Sequence, residues 1–461
     1  MPAGSPRLAY LRKRAATLVS NAGLLVAGVV TSVVISRVLG PEGRGVYVSW
    51  QSWAAAGAII AAAGLPQVVV LDDWNDRRHR LGDLIIPLGA TVTVGAVLAV
   101  VAGLLVLGAG GALLGMVLVV SAIQVGAVAA AEAQRLGRMI GAFNVVRLLP
   151  PAAGTIAMVL LAATGERGPS IWLLVIATAQ TVVLVAALVW VTQPVRLRPS
   201  SRASVRKSLA ATARLGPGNW VTLLQYRGDL LAVALIFPPS VVGFYSVGVA
   251  AQTAVAAAGQ AGGQHWFSMG RDAWDSGTAS LRREVLRTGG LATVAAVLVG
   301  GTSYWWVGSL FGSDFAAAVP LAVGMSLVAV VQSVDYLFAH ALLLAGSGVK
   351  AWLYRLPAVS VLVVGVVTVS AAELGPSVVV AVAGVGYVVS VVVMAVVLRG
   401  RRKAAVSRTQ SPQPVTSPMT CRRRRGRAMT SQTNQMEATT RRSRRASIRR
   451  LMSGGSWPTR L

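Results

Sequence analysis

The sequence predicts an all-α, polytopic membrane protein of about twelve transmembrane helices, arranged as two six-helix lobes related by pseudo-two-fold symmetry. Three observations predict it: long apolar runs, a Lys/Arg bias that alternates between their connections, and an echo of the first half in the second. The 461 residues are 54% hydrophobic and 13% charged, with mean hydropathy +0.65. That leaves too little polar surface for a soluble fold of this size.

Taken in order, the apolar runs cover roughly residues 18–39, 46–70, 84–107, 111–131, 145–164, 170–192, 215–238, 241–265, 286–310, 316–345, 353–372 and 376–398. Most exceed the roughly 18 apolar residues that suffice to cross a bilayer. The first follows Arg7, Arg12, Lys13 and Arg14, flanks that a signal peptide also has. It is long, and eleven more runs follow, so it is expected to be an uncleaved first span.

The connections give the direction. The N-terminus and the connections after even-numbered spans carry 22 Lys and Arg, counting those at the entrances to the next spans. Those after odd-numbered spans carry three: Arg37, Arg44 and Arg167. By the positive-inside rule both termini are cytoplasmic, and the expected location is the cell (inner) membrane. The net charge of +28 then reports topology and contact with anionic membrane lipids. Cys421 is the single cysteine, so neither a disulfide framework nor a Cys-based metal site is expected.

The most basic internal connection divides the chain: residues 1–192 form an N-terminal six-helix lobe, 193–214 a basic cytoplasmic linker, and 215–400 a C-terminal six-helix lobe. Residues 401–461 are rich in Arg, Ser, Thr and Pro without an apolar period and read as a disordered basic cytoplasmic tail. No aromatic residues interleave its arginines, so nucleic acid is not an expected partner.

The halves match at an offset of 198: Asn21 with Asn219, Pro41 with Pro239, Gly45 with Gly243, Tyr47 with Tyr245, and Gly64 with Gly262. A looser echo relates Arg147-Leu148-Leu149-Pro150 to Arg355-Leu356-Pro357. Because six is even, the repeats insert in the same direction, and transporters built this way bind substrate between their halves and rock around it.

The stretch Ser36-Arg37-Val38-Leu39-Gly40-Pro41-Glu42-Gly43-Arg44-Gly45-Val46-Tyr47 resembles the corresponding stretch of bacterial oligosaccharide (polysaccharide) flippases. These belong to the multidrug/oligosaccharidyl-lipid/polysaccharide exporter superfamily. Further similar pieces follow in order: Gly137-Arg138 with Asn144 through Pro150, Arg227-Gly228-Asp229, Val242 through Ser246, and Leu310 through Phe315. The resemblance covers about residues 8–400 and not the tail. It implies a carrier, not an enzyme, that moves a polyprenyl-diphosphate-linked oligosaccharide to the outer leaflet for cell-surface polysaccharide biosynthesis. Other polysaccharide-assembly proteins are then expected partners. The alternatives are a multidrug or cation antiporter of the same superfamily and a membrane-embedded prenyl or glycosyl transferase.

Charge inside a span costs about 2.5–3.5 kcal/mol on insertion scales, so such residues face a cavity or a partner. Arg227 and Asp229 lie near the middle of the seventh span, about 200° apart on a regular helix, while Gln225 and Asp229 share a face. Arg227 is a candidate for the diphosphate or an acidic sugar; Asp229 and Asp335 are candidates for a coupling ion, H⁺ or Na⁺. The competing reading is that Arg227 and Asp229 each satisfy a neighbouring helix and that Asp335 is a buried carboxyl that stays protonated and hydrogen-bonded. Arg37 and Arg44 on the outer side and Arg147 at the cytoplasmic entrance to span 5 complete the substrate-binding candidates, since the guanidinium fork suits phosphate oxygens. Snorkelled interfacial arginines are the alternative. His340 shares no face with Asp335 and reads as packed or interfacial.

One pattern argues for chemistry. Asp72-Asp73-Trp74-Asn75-Asp76, with Asp272-Ala273-Trp274-Asp275 in the second half, has a spacing that can hold Mg²⁺ on a diphosphate. Arg77, Arg78, His79, Arg80 and Arg271 in the same loops favour solvated mixed-charge connections instead. A polymerase or ligase would want a large outer loop, and the outer connections are short. Gly259 to Gly263 has no following Gly-Lys-[Ser/Thr], so no nucleotide site, cofactor or bound metal is expected.

Overall fold

The computed structural model describes residues 6–66, 81–135, 139–192, 202–268, 278–342 and 351–410, and every regular element among them is helical. Helices satisfy their own N–H and C=O groups, which lipid cannot do. The long helices are α1 (Pro6–Ala62), α2 (Leu81–Leu105), α3 (Leu113–Arg135), α4 (Met139–Ala162), α5 (Pro169–Thr192), α6 (Arg202–Ile236), α7 (Pro239–Ser268), α8 (Thr278–Gly301), α9 (Val319–Leu342), α10 (Leu356–Ala371) and α11 (Pro376–Gln410). Short helical turns fill 303–318 and 351–355.

Ten of the described helices are long and apolar enough to cross a membrane. The first of these, Ala22–Ala62, holds two of the expected spans, because α1 breaks at Gly40 (φ 66°, ψ −175°). Glycine tolerates that positive φ, and Pro41, which has no N–H to lose, begins the second arm. The seventh expected span, α6, is absent from the ten because it carries Asn219, Gln225, Arg227 and Asp229 in its apolar stretch. With α1 counted as two arms and α6 included, the helices account for the twelve expected spans. The chain is a multi-pass membrane protein.

The apolar cores follow the two halves. Ile35, Tyr47, Met116, Met158, Trp172 and Leu173 join α1, α3, α4 and α5. Leu230, Val242, Tyr245, Met325, Val379 and Tyr387 join α6, α7, α9 and α11. A small cluster crosses between them, with Ala56 on the second arm of α1 against Leu223 and Leu231 on α6. Aliphatic side chains such as Leu160, Val182, Val297 and Val396 remain exposed on the perimeter, as a lipid-facing surface requires. Tyr304 and Trp305 are exposed just past the end of α8, where an interfacial aromatic belt belongs.

The acidic residues Asp72, Asp73 and Asp76, the pair Asp272 and Asp275, Gly137-Arg138, residues 193–201 of the expected linker and the tail beyond 410 lie outside the described residues, whereas residues 202–214 of that linker form the start of α6.

Candidate functional site

The bend in α1 puts its second arm against the start of α7, and the two repeats meet there through matching residues. A Cβ on Gly45 would overlap the carbonyl oxygen of Pro239, and a Cβ on Gly243 would overlap that of Pro41. Only glycine permits backbone to approach this closely. The contact is reciprocal, as a pseudo-two-fold axis demands, and lies at the end that charge bias assigns to the outside.

Arg44 fastens the same seam. It is 4% exposed, and its guanidinium reaches back to the first arm, donating to the Ser32 carbonyl (3.0 Å), the Ser32 hydroxyl (2.9 Å) and the Ser36 hydroxyl. Its Nε donates across to Ser246 Oγ on α7 at 2.7 Å, and Ser246 in turn donates to the Gly243 carbonyl at 2.7 Å. The ring of Phe311 lies 5.0 Å below the guanidinium carbon and that of Phe315 5.8 Å. Neutral oxygens and aromatic faces thus support a buried cation. Exposed Arg37 adds a second crossing, with Nε donating to the Leu310 carbonyl at 2.8 Å and Nη2 to the Ser309 carbonyl.

A second polar centre lies inside the C-terminal half. Asp335 on α9 is 0% exposed. Its Oδ2 accepts from Arg355 Nη2 (3.1 Å) and the Tyr226 hydroxyl (2.8 Å), and its Oδ1 accepts from Gln225 Nε2 (3.1 Å) and Ser390 Oγ. Arg355 also donates to Thr222 Oγ1 (3.0 Å) and the Tyr226 hydroxyl (3.1 Å), and lies 5.1 Å over the Tyr226 ring. The donors come from α6, α11 and the turn before α10, so one carboxylate ties four segments together.

Asp229 takes a separate partner. It is buried and accepts from the Tyr245 hydroxyl at 2.9 Å. Gln225 and Asp229 do face the same way, into the C-terminal half, but serve different carboxylate centres. Arg227 points elsewhere. It is exposed, with no hydrogen-bond partner among the described residues, and stands four residues from both Leu223 and Leu231, which pack toward Ala56. Successive fourth residues share a helix face, so Arg227 lies on the strip of α6 that meets the N-terminal half. Arg147 on α4 is partly buried and within electrostatic range of Tyr336 on α9, in the other half. The His340 ring lies 4.3 Å from that of Tyr336, tilted by 47°, and its Nδ1 is 2.8 Å from the Tyr336 carbonyl oxygen.

Of the six candidates, the structure brings Arg37 and Arg44 together at the seam, puts Arg227 and Asp229 on different sides of one helix, and leaves Arg147 and Asp335 on separate elements. Sequence reasoning missed the partners Arg355, Tyr226, Thr222 and Ser390. The signal for Arg355 was its correspondence to Arg147. Among the described residues no group of His, Cys, Asp and Glu could hold a metal ion.

No protein-family model matches the chain, and no curated protein matches it. Solved structures do. The chain is similar to the lipid II flippase MurJ in an inward closed conformation, with TM-score 0.66, 9% identity, and coverage of 84% of this chain and 87% of that one. It is similar to the MATE multidrug transporter DinF-BH, with TM-score 0.54, 15% identity, and coverage of 86% and 96%. An outward-facing multidrug resistance MATE family transporter of the MOP superfamily gives TM-score 0.50, 13% identity, and coverage of 86% and 97%. At these identities the likeness establishes the fold alone.

Proposed function

We propose that this chain is a membrane transporter that flips a polyprenyl-diphosphate-linked oligosaccharide across the bacterial cytoplasmic membrane by alternating access. Arg227 is the observation that carries the reading. It is a guanidinium without a described hydrogen bond in the middle of a span, on the face that meets the other half. Such a group is costly unless it meets water, a counter-charge or an anionic ligand; Asp229 is within electrostatic range but takes its hydrogen bond from Tyr245, and the guanidinium fork matches diphosphate oxygens. Arg147, within range of Tyr336 across the halves, is a second contact for the same headgroup. One protein of the same fold is named a lipid II flippase, which supports a lipid-linked cargo.

In this reading the seam of Gly45, Gly243, Arg44 and Arg37 is the outer gate in its closed state. The two buried acids are turned into the C-terminal half and hydrogen-bonded, so neither is offered to a cationic drug. That favours an anionic cargo over the multidrug reading that the MATE structures suggest. Asp229 keeps the expected role in coupling to H⁺ or Na⁺. Its partner Tyr245 immediately precedes Ser246, the far side of the Arg44 latch.

The test is proteoliposomes carrying the purified protein. Flipping of a labelled polyprenyl-diphosphate oligosaccharide, without sugar or prenyl transfer in the same vesicles, is the expected result. Proton- or Na⁺-driven movement of a lipophilic organic cation with no lipid flipping would replace this reading with the antiporter. Transfer activity would replace it with the transferase.

A further inference from the structure

Asp335 and Arg355 pose a problem that flipping does not explain: a carrier has built a fully buried ion pair where an apolar contact would pack at less cost. Removing two charges from water is expensive, and their attraction offsets this only when geometry and further hydrogen bonds are good. Here they are. Both carboxylate oxygens receive two donors each, which uses the full acceptor capacity of the group.

The atoms around the guanidinium are oxygens of the kind that ligate a hard cation. Asp335 supplies the charge, and the Tyr226 hydroxyl and Thr222 Oγ1 face Arg355 directly. Ser390 Oγ sits on the opposite carboxylate oxygen. Gln225 Oε1, on the same amide as the nitrogen that binds Asp335, is buried without a hydrogen-bond partner, and so is Gln332 Oε1 one turn before Asp335. One of these amide oxygens belongs to a side chain bonded to the buried carboxylate and the other to a residue one helical turn away, an excess of acceptors over donors that suits a cation better than a hydrogen-bonded core.

We propose that this centre is a monovalent-cation site whose occupant is a side chain of the same protein: Arg355 stands where a mobile Na⁺ or K⁺ would bind. From the start of α10 the tethered guanidinium bonds α6 and α9, and the carboxylate it neutralises also holds Ser390 on α11, as around a bound ion that cannot leave. The C-terminal half is therefore stable without a cation, and any ion coupling must use another acid. The inference concerns binding in this half alone and does not depend on which cargo is moved.

The experiment is thermal unfolding of the purified full chain in detergent, titrated with NaCl, KCl or methylguanidinium chloride against choline chloride at equal ionic strength. The wild type should be indifferent to which cation is present. Arg355→Ala should be unstable in choline, and at least one of the three cations should raise its unfolding midpoint saturably, by about 4 °C or more. The double variant Arg355→Leu with Asp335→Asn should fold and again be indifferent, because the charge that calls for a cation is gone. If Arg355→Ala responds to none of the three, or fails to fold in every salt while the double variant folds, the proposal is overturned. It is equally overturned if the wild type already shows a saturable response to Na⁺ or K⁺ that Asp335→Asn removes.

Discussion

Gly45 packs directly on the carbonyl of Pro239, and its repeat counterpart Gly243 packs on the carbonyl of Pro41. Any side chain at either glycine must push the halves apart at this end. Overpacking a close contact costs about 1–3 kcal/mol, and about 1.4 kcal/mol is tenfold in an equilibrium. Gly45→Ala should therefore raise the population open at the seam by about tenfold. Labelling by an impermeant thiol reagent at Val48→Cys, in a Cys421→Ser background, measures it. Unchanged labelling would mean that the seam does not open there.

Arg44 is predicted to act on access to the site and not on affinity. Arg44→Lys keeps the charge but cannot span Ser32, Ser36 and Ser246 together. Hydrogen bonds to charged groups contribute about 1.5–3 kcal/mol, so Val48→Cys should label faster in Arg44→Lys, by about tenfold. Binding of the diphosphate lipid should stay within about threefold of wild type, given that about 1.4 kcal/mol is tenfold. A large loss of binding with unchanged labelling would return Arg44 to the role of a cargo ligand, as its sequence position first implied.

Arg227→Ala should lower flipping at least about tenfold while leaving insertion and folding intact, since the residue has no described hydrogen bond to lose. Arg227→Lys should retain part of the activity, because charge survives without the fork. Asp72→Asn with Asp76→Asn should be nearly silent. Mg²⁺-dependent activity that needs those acids and tolerates Arg227→Ala would favour the transferase.

Tyr245→Phe removes the hydroxyl that Asp229 accepts from. If the pair acts as one unit, Tyr245→Phe and Asp229→Asn should each impair gradient-driven transport, and the double variant should be no worse than Asp229→Asn. Additive losses would separate the two roles.

The direction of insertion can be read with cysteine probes in the same background. Gly165→Cys and Gly312→Cys should label from outside, and cysteines at Asp76, Ser204 and Lys350 should not. Reversal of either group would turn the proposed outer gate into an inner one.

Much of this fold was legible because hydropathy acts on every span independently. The axis was legible because Pro41, Gly45 and Tyr47 recur at one offset. α6 shows where hydropathy fails: the residues that lower its apolarity bind other helices or lie on the strip toward the N-terminal half. The partnership of Asp335 with Arg355 was not legible, because they sit on different elements and no period links contacts between helices. Arg44, expected on the outer side, is buried. A residue just past the end of a span looks interfacial until the bend at Gly40 folds the second arm back over Ser32 and Ser36.

The reciprocal glycine contact has a consequence for ancestry. Each half contributes the same surface, so an unfused six-helix unit could meet its own copy there in an isologous dimer. In such a dimer a substitution falls on both sides of the axis at once. One continuous chain is free of that bond. At the offset of 198, Arg44 corresponds to Val242 and Ser246 to Val48. One crossing therefore carries a guanidinium on a hydroxyl, while at its twin Val48 packs on the apolar cluster that holds Val242. A single chain can carry a charge on one side of its axis only, which two identical subunits cannot do.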